Sequence, residues 1–207
     1  MKSYKVLGWF LGFLLAFLFA LPALASEVVQ APVYKDDVCW WFRIEEKEFV
    51  NVRSYLLHGE YGQCHKGGKV KLFLREKGTK IEITPAPPLL MNLLPETAVA
   101  DLKMLVLPLK EGGEWPVEYR SERGGWVSGK SKVGSIKNVK VPAGTFRAYE
   151  IERSEWTSGR NPVELRSTYF YCQECGRIIK YSYKRMLRGE IEATKEVELI
   201  EVEKTER

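Results

Sequence analysis

Histidine is almost missing from this chain of 207 residues: His58 and His65 are the only two. Both flank one glycine-rich stretch and read as exposed loop residues, so no imidazole is set apart for acid–base work. The Gly-x-Ser-x-Gly elbow is absent, as is a phosphate-cradling loop, which removes the serine-hydrolase and nucleotide-binding signatures. A covalent haem site is excluded as well, because position 61 is Tyr where Cys64-His65 would need a partner cysteine. Carboxylates abound, but they alternate along predicted strands as solvated faces, Glu150 and Glu152 among them, and no two are marked out as acid and base. A strong excess of one charge is also lacking. With Lys2 and Lys5 set aside, 30 basic residues stand against 27 acidic ones, a net of +3. That balance implies neither nucleic acid nor an anionic membrane surface as partner. Asn and Gln together number only 7 against 32 basic and 27 acidic residues, a usage that resembles thermophilic proteins.

The N-terminus is the most directly readable segment. Lys2 and Lys5 precede an uncharged run from Val6 to Ala25, Pro22 interrupts it, and Ala23-Leu24-Ala25 is followed by Ser26. A basic start, an apolar helix and a small-x-small site make a secretory signal peptide over residues 1–25, cleaved between Ala25 and Ser26. The rival reading is a retained anchor, since the run is just long enough to span a bilayer. No cysteine lies near the cleavage point, so a lipid-modified N-terminal cysteine is not expected. The exported chain, Ser26–Arg207, has 182 residues, enough for a single β-rich domain over 26–207 with a real core. Its expected location is the periplasm or the extracellular medium.

Strand signals dominate that domain. Cys39-Trp40-Trp41-Phe42-Arg43-Ile44 reads as a buried strand continuing through Val52. Gly59, Gly62, Gly67 and Gly68 around Cys64-His65 read as a loop. Lys69–Leu74 and Ile81–Ile83 resume strand character until Pro85, Pro87 and Pro88 stop it. Leu89–Leu109 is the most apolar stretch, and Pro95-Glu96-Thr97 followed by Val99, Leu102 and Leu105 or Val106 predicts one short amphipathic helix that caps the sheet or covers an apolar cavity. From Trp115 onward, glycines punctuate short alternating runs, and Ile191–Leu199 alternates apolar with charged residues, as a sheet with one wet face requires. The expected fold is mainly β: a curved antiparallel sheet, open barrel or sandwich with one short helix, behind a signal-peptide helix. Trp40, Trp41, Trp115, Trp126 and Trp156 are expected to fill its core, with lining of a ligand cavity as the alternative.

Three segments carry a resemblance. Leu107-Pro108-Leu109-Lys110-Glu111-Gly112-Gly113-Glu114-Trp115, then Val139-Lys140-Val141-Pro142-Ala143-Gly144-Thr145-Phe146, then Tyr169-Phe170-Tyr171 with Gly176-Arg177-Ile178-Ile179-Lys180 follow one another in an order and spacing. They resemble a family of exported bacterial β-sheet proteins of unknown function with a Val-Pro-Ala-Gly-Thr-Phe hairpin. The resemblance covers about residues 105–183. It implies a curved sheet similar to lipoprotein-carrier folds and transfers no catalytic residue. The chain departs from the family where Cys172-Gln173-Glu174-Cys175-Gly176 replaces an Ala-Pro turn.

Four cysteines, Cys39, Cys64, Cys172 and Cys175, give three chemistries to weigh. An even count in an exported chain favours disulfides, with Cys39–Cys64 and Cys172–Cys175 the most natural pairing. A zinc site would combine Cys172 and Cys175 with Cys64 or His65, but a second Cys-x-x-Cys is lacking. Thiol–disulfide exchange would need a helix N-terminus to activate the thiolate, and the residues after Cys175 read as strand. The expected role is that of a non-enzymatic envelope protein, without cofactor, that binds a lipid or other apolar ligand or an envelope protein partner. The alternative is a periplasmic thiol or zinc protein centred on Cys172 and Cys175.

Overall fold

Alternation becomes strand almost everywhere it occurs. The computed structural model describes residues 37–50, 53–67, 69–83, 104–121 and 125–204. Within them run β1 (Val38–Val50), β2 (Arg53–Lys66), β3 (Lys69–Glu76), β4 (Thr79–Glu82), β5 (Glu114–Arg120), β6 (Trp126–Val141), β7 (Gly144–Thr157), β8 (Val163–Cys172), β9 (Arg177–Leu187) and β10 (Glu190–Lys204). They form one sheet in the order β4-β3-β2-β1-β10-β9-β8-β7-β6-β5, with β4 and β5 at its two edges. The pairings are antiparallel, and the first and last strands meet inside the sheet, as its fourth and fifth members, where Ile44 stands opposite Val197. The sheet is open and curved, and no helix occurs among the described residues. The signal segment, and with it Ala23, Ala25 and Ser26, lies outside the described residues, as does most of the segment expected to be helical; its last residues, Met104–Leu109, are extended and irregular.

The glycine-rich stretch expected as a loop is part of β2 instead. Gly62 lies beneath Trp41 of β1, and a Cβ there would come within 2.8 Å of three ring atoms. Glycine therefore marks a place where an indole lies flat on the backbone, one of the few uses of glycine inside a strand. Trp41 is fully buried there on the outer face. Its ring is covered by the Arg75 guanidinium, 3.9 Å from the centroid, and its Nε1 donates to Glu203 Oε2 at 3.0 Å. Cys39, Cys64, Phe73 and Ile200 complete this small outer cluster.

The main core lies on the other face, which the curvature makes concave. Phe42, Ile44, Val117, Val133, Ile151, Tyr169, Tyr171, Ile179, Val197 and Leu199 come from strands across the sheet yet pack into one cluster. Ala143, in the β6–β7 turn, donates its N–H to the Leu199 carbonyl of β10 at 3.3 Å, although β9 and β8 lie between β10 and that hairpin. The curvature thus brings the β6–β7 turn over β10 at this end. The tryptophan expectation holds for Trp41 and Trp115. Trp126 and Trp156 depart from it, at 56% and 49% exposed, because the alternation of β6 and β7 turns them to the outer face.

Candidate functional site

The two cysteine pairs stand in different places. Cys39 and Cys64 face each other across β1 and β2 and are joined, with an S–S distance of 1.99 Å. Cys172 and Cys175 are joined across the β8–β9 turn at 2.15 Å, and the Cys175 N–H reaches Cys172 Sγ at 3.2 Å. Cys172 belongs to the concave core and the other pair to the outer cluster, so the sulfurs are taken up two by two in separate packing environments. Strand β9 begins at Arg177, directly after the turn, and the backbone there offers no helix dipole to lower a thiol pKa.

His65, expected on a loop, is on β2 and buried. Its Nε2 lies 3.3 Å from Nη2 of Arg177, itself only 2% exposed. The cation must donate there, so His65 accepts as a neutral ring. Arg177 also donates to Gln63 Oε1 at 3.5 Å and stacks its guanidinium 4.0 Å over Trp40. This is a cross-sheet clamp, since β2 and β9 are separated by β1 and β10. It fastens the curve at the end where the β6–β7 turn meets β10.

A second polar group lies farther along the concave face. Arg153 and Glu155 alternate with exposed residues on β7 and point inward with Ile151. Both are buried, and Nη2 of Arg153 donates to Glu155 Oε1. Gly129 of β6 makes the room: a Cβ there would meet the Ser154 carbonyl oxygen at 2.1 Å and the Glu155 Cγ at 2.9 Å. Register then defines layers across the face. One runs Arg185, Leu165, Glu155, Gly129, Val117, and the next Lys195, Tyr183, Ser167, Arg153, Ser131, Trp115. The layer after that, Val197, Tyr181, Tyr169, Ile151, Val133, carries no formal charge. Polarity therefore falls over these three layers, before the Arg177 clamp brings it back at the far end.

The incoming strandless segment crosses this gradient. The Tyr169 hydroxyl donates to the Met104 carbonyl, and Arg153 Nη1 lies 3.5 Å from Met104 Sδ. Met104 and Leu109 are buried against the face, so this part of the apolar stretch caps the sheet. Burial pushes the Tyr169 phenol up to about 12 against the opposing pull of Arg153. Burial, aided by the Glu155 carboxylate, also takes Tyr119 to about 12. For Arg153, burial works against the charge, but the hydrogen bond and charge of Glu155 outweigh it and raise its pKa. Phenols held this high do not exchange protons near neutral pH. The cluster is built to hold and to donate hydrogen bonds.

No protein-family model matches the chain, and no curated protein matches it. Three solved structures share part of its outline. A proposed exported protein with a YmcC-like fold from Bacteroides fragilis is 9% identical, at TM-score 0.38, over 86% of this chain and all of that one. A proposed lipoprotein from Parabacteroides distasonis is 12% identical, at 0.36, over 82% of this chain and 96% of that one. The hypothetical lipoprotein YmcC from Escherichia coli is 11% identical, at 0.34, over 99% and 100%. At these scores neither their fold nor their role transfers to this chain. The segments of family resemblance fall at the approach to β5, the β6–β7 hairpin and the β8–β9 hairpin.

Sequence reasoning missed Arg153, Glu155 and Arg177. The signal was parity: Arg153 and Glu155 share the phase of Ile151, whereas Glu150 and Glu152 have the other.

Proposed function

We propose that this chain is an exported, non-enzymatic protein of the bacterial envelope that binds an apolar ligand with a polar head against its concave face. The signal segment supports export, with cleavage before Ser26. The observation that carries the binding reading is the fall in polarity over three successive layers of the concave face. Arg185, Glu155 and Arg153 supply the polar end, and tyrosine rings lead from there into aliphatic packing. Paired charges, high phenol pKa values and bonded cysteines favour holding a ligand over transforming it. Most pockets for such ligands are apolar with a few fixed polar groups, which is the composition of this face.

The test is direct. Protein recovered from the periplasm is extracted with organic solvent and analysed by mass spectrometry, and its N-terminus is sequenced. The expected result is a co-purified lipid near one per chain and a first residue of Ser26. Absence of any bound lipid, together with no saturable binding of an alkyl-chain fluorescent probe to the stripped protein, would overturn the apolar-ligand reading.

A further inference from the structure

The outer face carries a second concavity that the reading above does not use. Trp156 of β7, Glu164 of β8 and Met186 of β9 stand side by side in register. Beyond them the β7–β8 loop contributes Arg160 and Asn161, and the β9–β10 turn contributes Arg188, enclosing a groove of about 370 Å³. Its floor is apolar, an indole and a thioether, and its rim is polar. Trp156 is 49% exposed, an unusual state for the largest apolar side chain when strands flank it on both sides. Arg188 Nη2 donates to Asn161 Oδ1 at 3.2 Å, which ties the loop to the turn and leaves the Asn161 amide nitrogen as a donor.

The β9–β10 turn sets an arginine beside the groove. Arg188 and Gly189 both take positive φ, 54° and 85°. Two such residues make the tight hairpin turn that Asn-Gly ordinarily fills. An arginine there adopts a conformation that L-residues with a Cβ resist, as Lys77 does before Gly78 in the β3–β4 turn. The Arg188 guanidinium is thereby placed at the groove rim. Charge decides the ligand class. Two guanidinium groups face one carboxylate, and that carboxylate, Glu164, is already engaged by the Arg166 Nε.

We propose that this groove binds an anionic saccharide. A pyranose presents an apolar C–H face that suits the exposed indole, and its hydroxyls suit Asn161 and Glu164. A carboxylate or phosphate substituent suits Arg160 and Arg188, since guanidinium groups bind such oxyanions in bidentate fashion. Trp126 extends the platform for a second ring. It is 56% exposed on the neighbouring strand, with its carbonyl accepting from the Ser158 N–H, two residues past Trp156. The site is independent of the apolar ligand proposed for the concave face.

Calorimetric titration of the purified exported protein tests this with four probes: a muramic-acid-containing disaccharide peptide, a delipidated phosphorylated core oligosaccharide, neutral chitotriose, and phosphatidylglycerol vesicles. Saturable binding of either anionic saccharide is expected, at least tenfold tighter than chitotriose; which one binds names the source, wall or outer-leaflet glycan. Trp156→Thr and Arg188→Asn should each weaken it about tenfold or more. The second variant relieves the backbone, so its melting temperature should hold or rise while affinity falls, which separates binding from a structural role. Equal affinity for chitotriose, binding to vesicles alone, full affinity in Arg188→Asn, or no binding to any probe would each overturn the proposal.

Discussion

At the scale of single residues, the concave face depends on one compensated charge. Arg153 and Glu155 are buried together, and an ion pair in that position is strongly destabilising when half of it is removed. Glu155→Gln keeps the shape and one acceptor but strands the guanidinium, so stability should drop by about 3–5 kcal/mol. Replacing both, as in Arg153→Met with Glu155→Leu, should recover much of that loss. Urea unfolding of the three variants checks the order; a double variant as damaged as the single would show that the layer needs more than charge balance. The surrounding phenols add a pH dependence. Tyr119 and Tyr169 are raised from 10 to about 12 by burial, so folding favours their neutral form. That contribution is fully present below about pH 10 and is lost as pH rises through about 12. Burial raises Tyr181 and Tyr171 as well, so ultraviolet titration should find at least these four phenols ionising late, in step with alkaline unfolding; ionisation of every tyrosine near 10 would refute it.

At the scale of elements, the two disulfides should differ in weight. Cys39–Cys64 spans a sequence separation of 25 and Cys172–Cys175 one of 3. Chain entropy alone gives about 3.5 kcal/mol for the first and roughly half of that for the second. Paired Cys→Ala replacement, followed by urea unfolding, should therefore cost about twice as much stability at Cys39–Cys64 as at Cys172–Cys175. The same elements show how far the sequence could be read. The strands from β5 to β10 were legible because their apolar residues alternate and their turns carry glycine; the Val139–Ile151 segment is the hairpin that its Pro-Ala-Gly turn announces. β2 was not, because Gly59 and Gly62 carry ordinary loop statistics. Only the Trp41 ring lying across Gly62 explains the glycine there, and that contact joins two strands. Arg177 was hidden for a similar reason. It opens β9 as if in a turn, and its partners on β2 are 112 and 114 residues away in sequence.

At the scale of the whole molecule, an open sheet has two edges and each must avoid pairing with another copy. One edge is β4, four residues long and exposed throughout, where Lys80 binds Glu203 and Lys71 binds Glu82. Short length and charge protect it. The other is β5, seven residues long with buried Trp115 and Val117, and it is the more dangerous of the two. Its protection is Pro116. Val133 donates its N–H to the Gly113 carbonyl, and the alternation of an antiparallel ladder then directs the backbone groups of 115 and 117 toward β6 and those of 116 outward. Pro116 therefore removes the donor at the middle of the free edge without loss to the sheet, the placement in which a strand tolerates proline. Pro116→Val should leave the melting temperature nearly unchanged, since no internal hydrogen bond is involved, yet restore a continuous edge. Sedimentation velocity and light scattering should then show concentration-dependent dimers or aggregates that the parent protein lacks. A strictly monomeric variant would mean that curvature alone shields β5, and that the end of the sheet, not its proline, keeps copies apart.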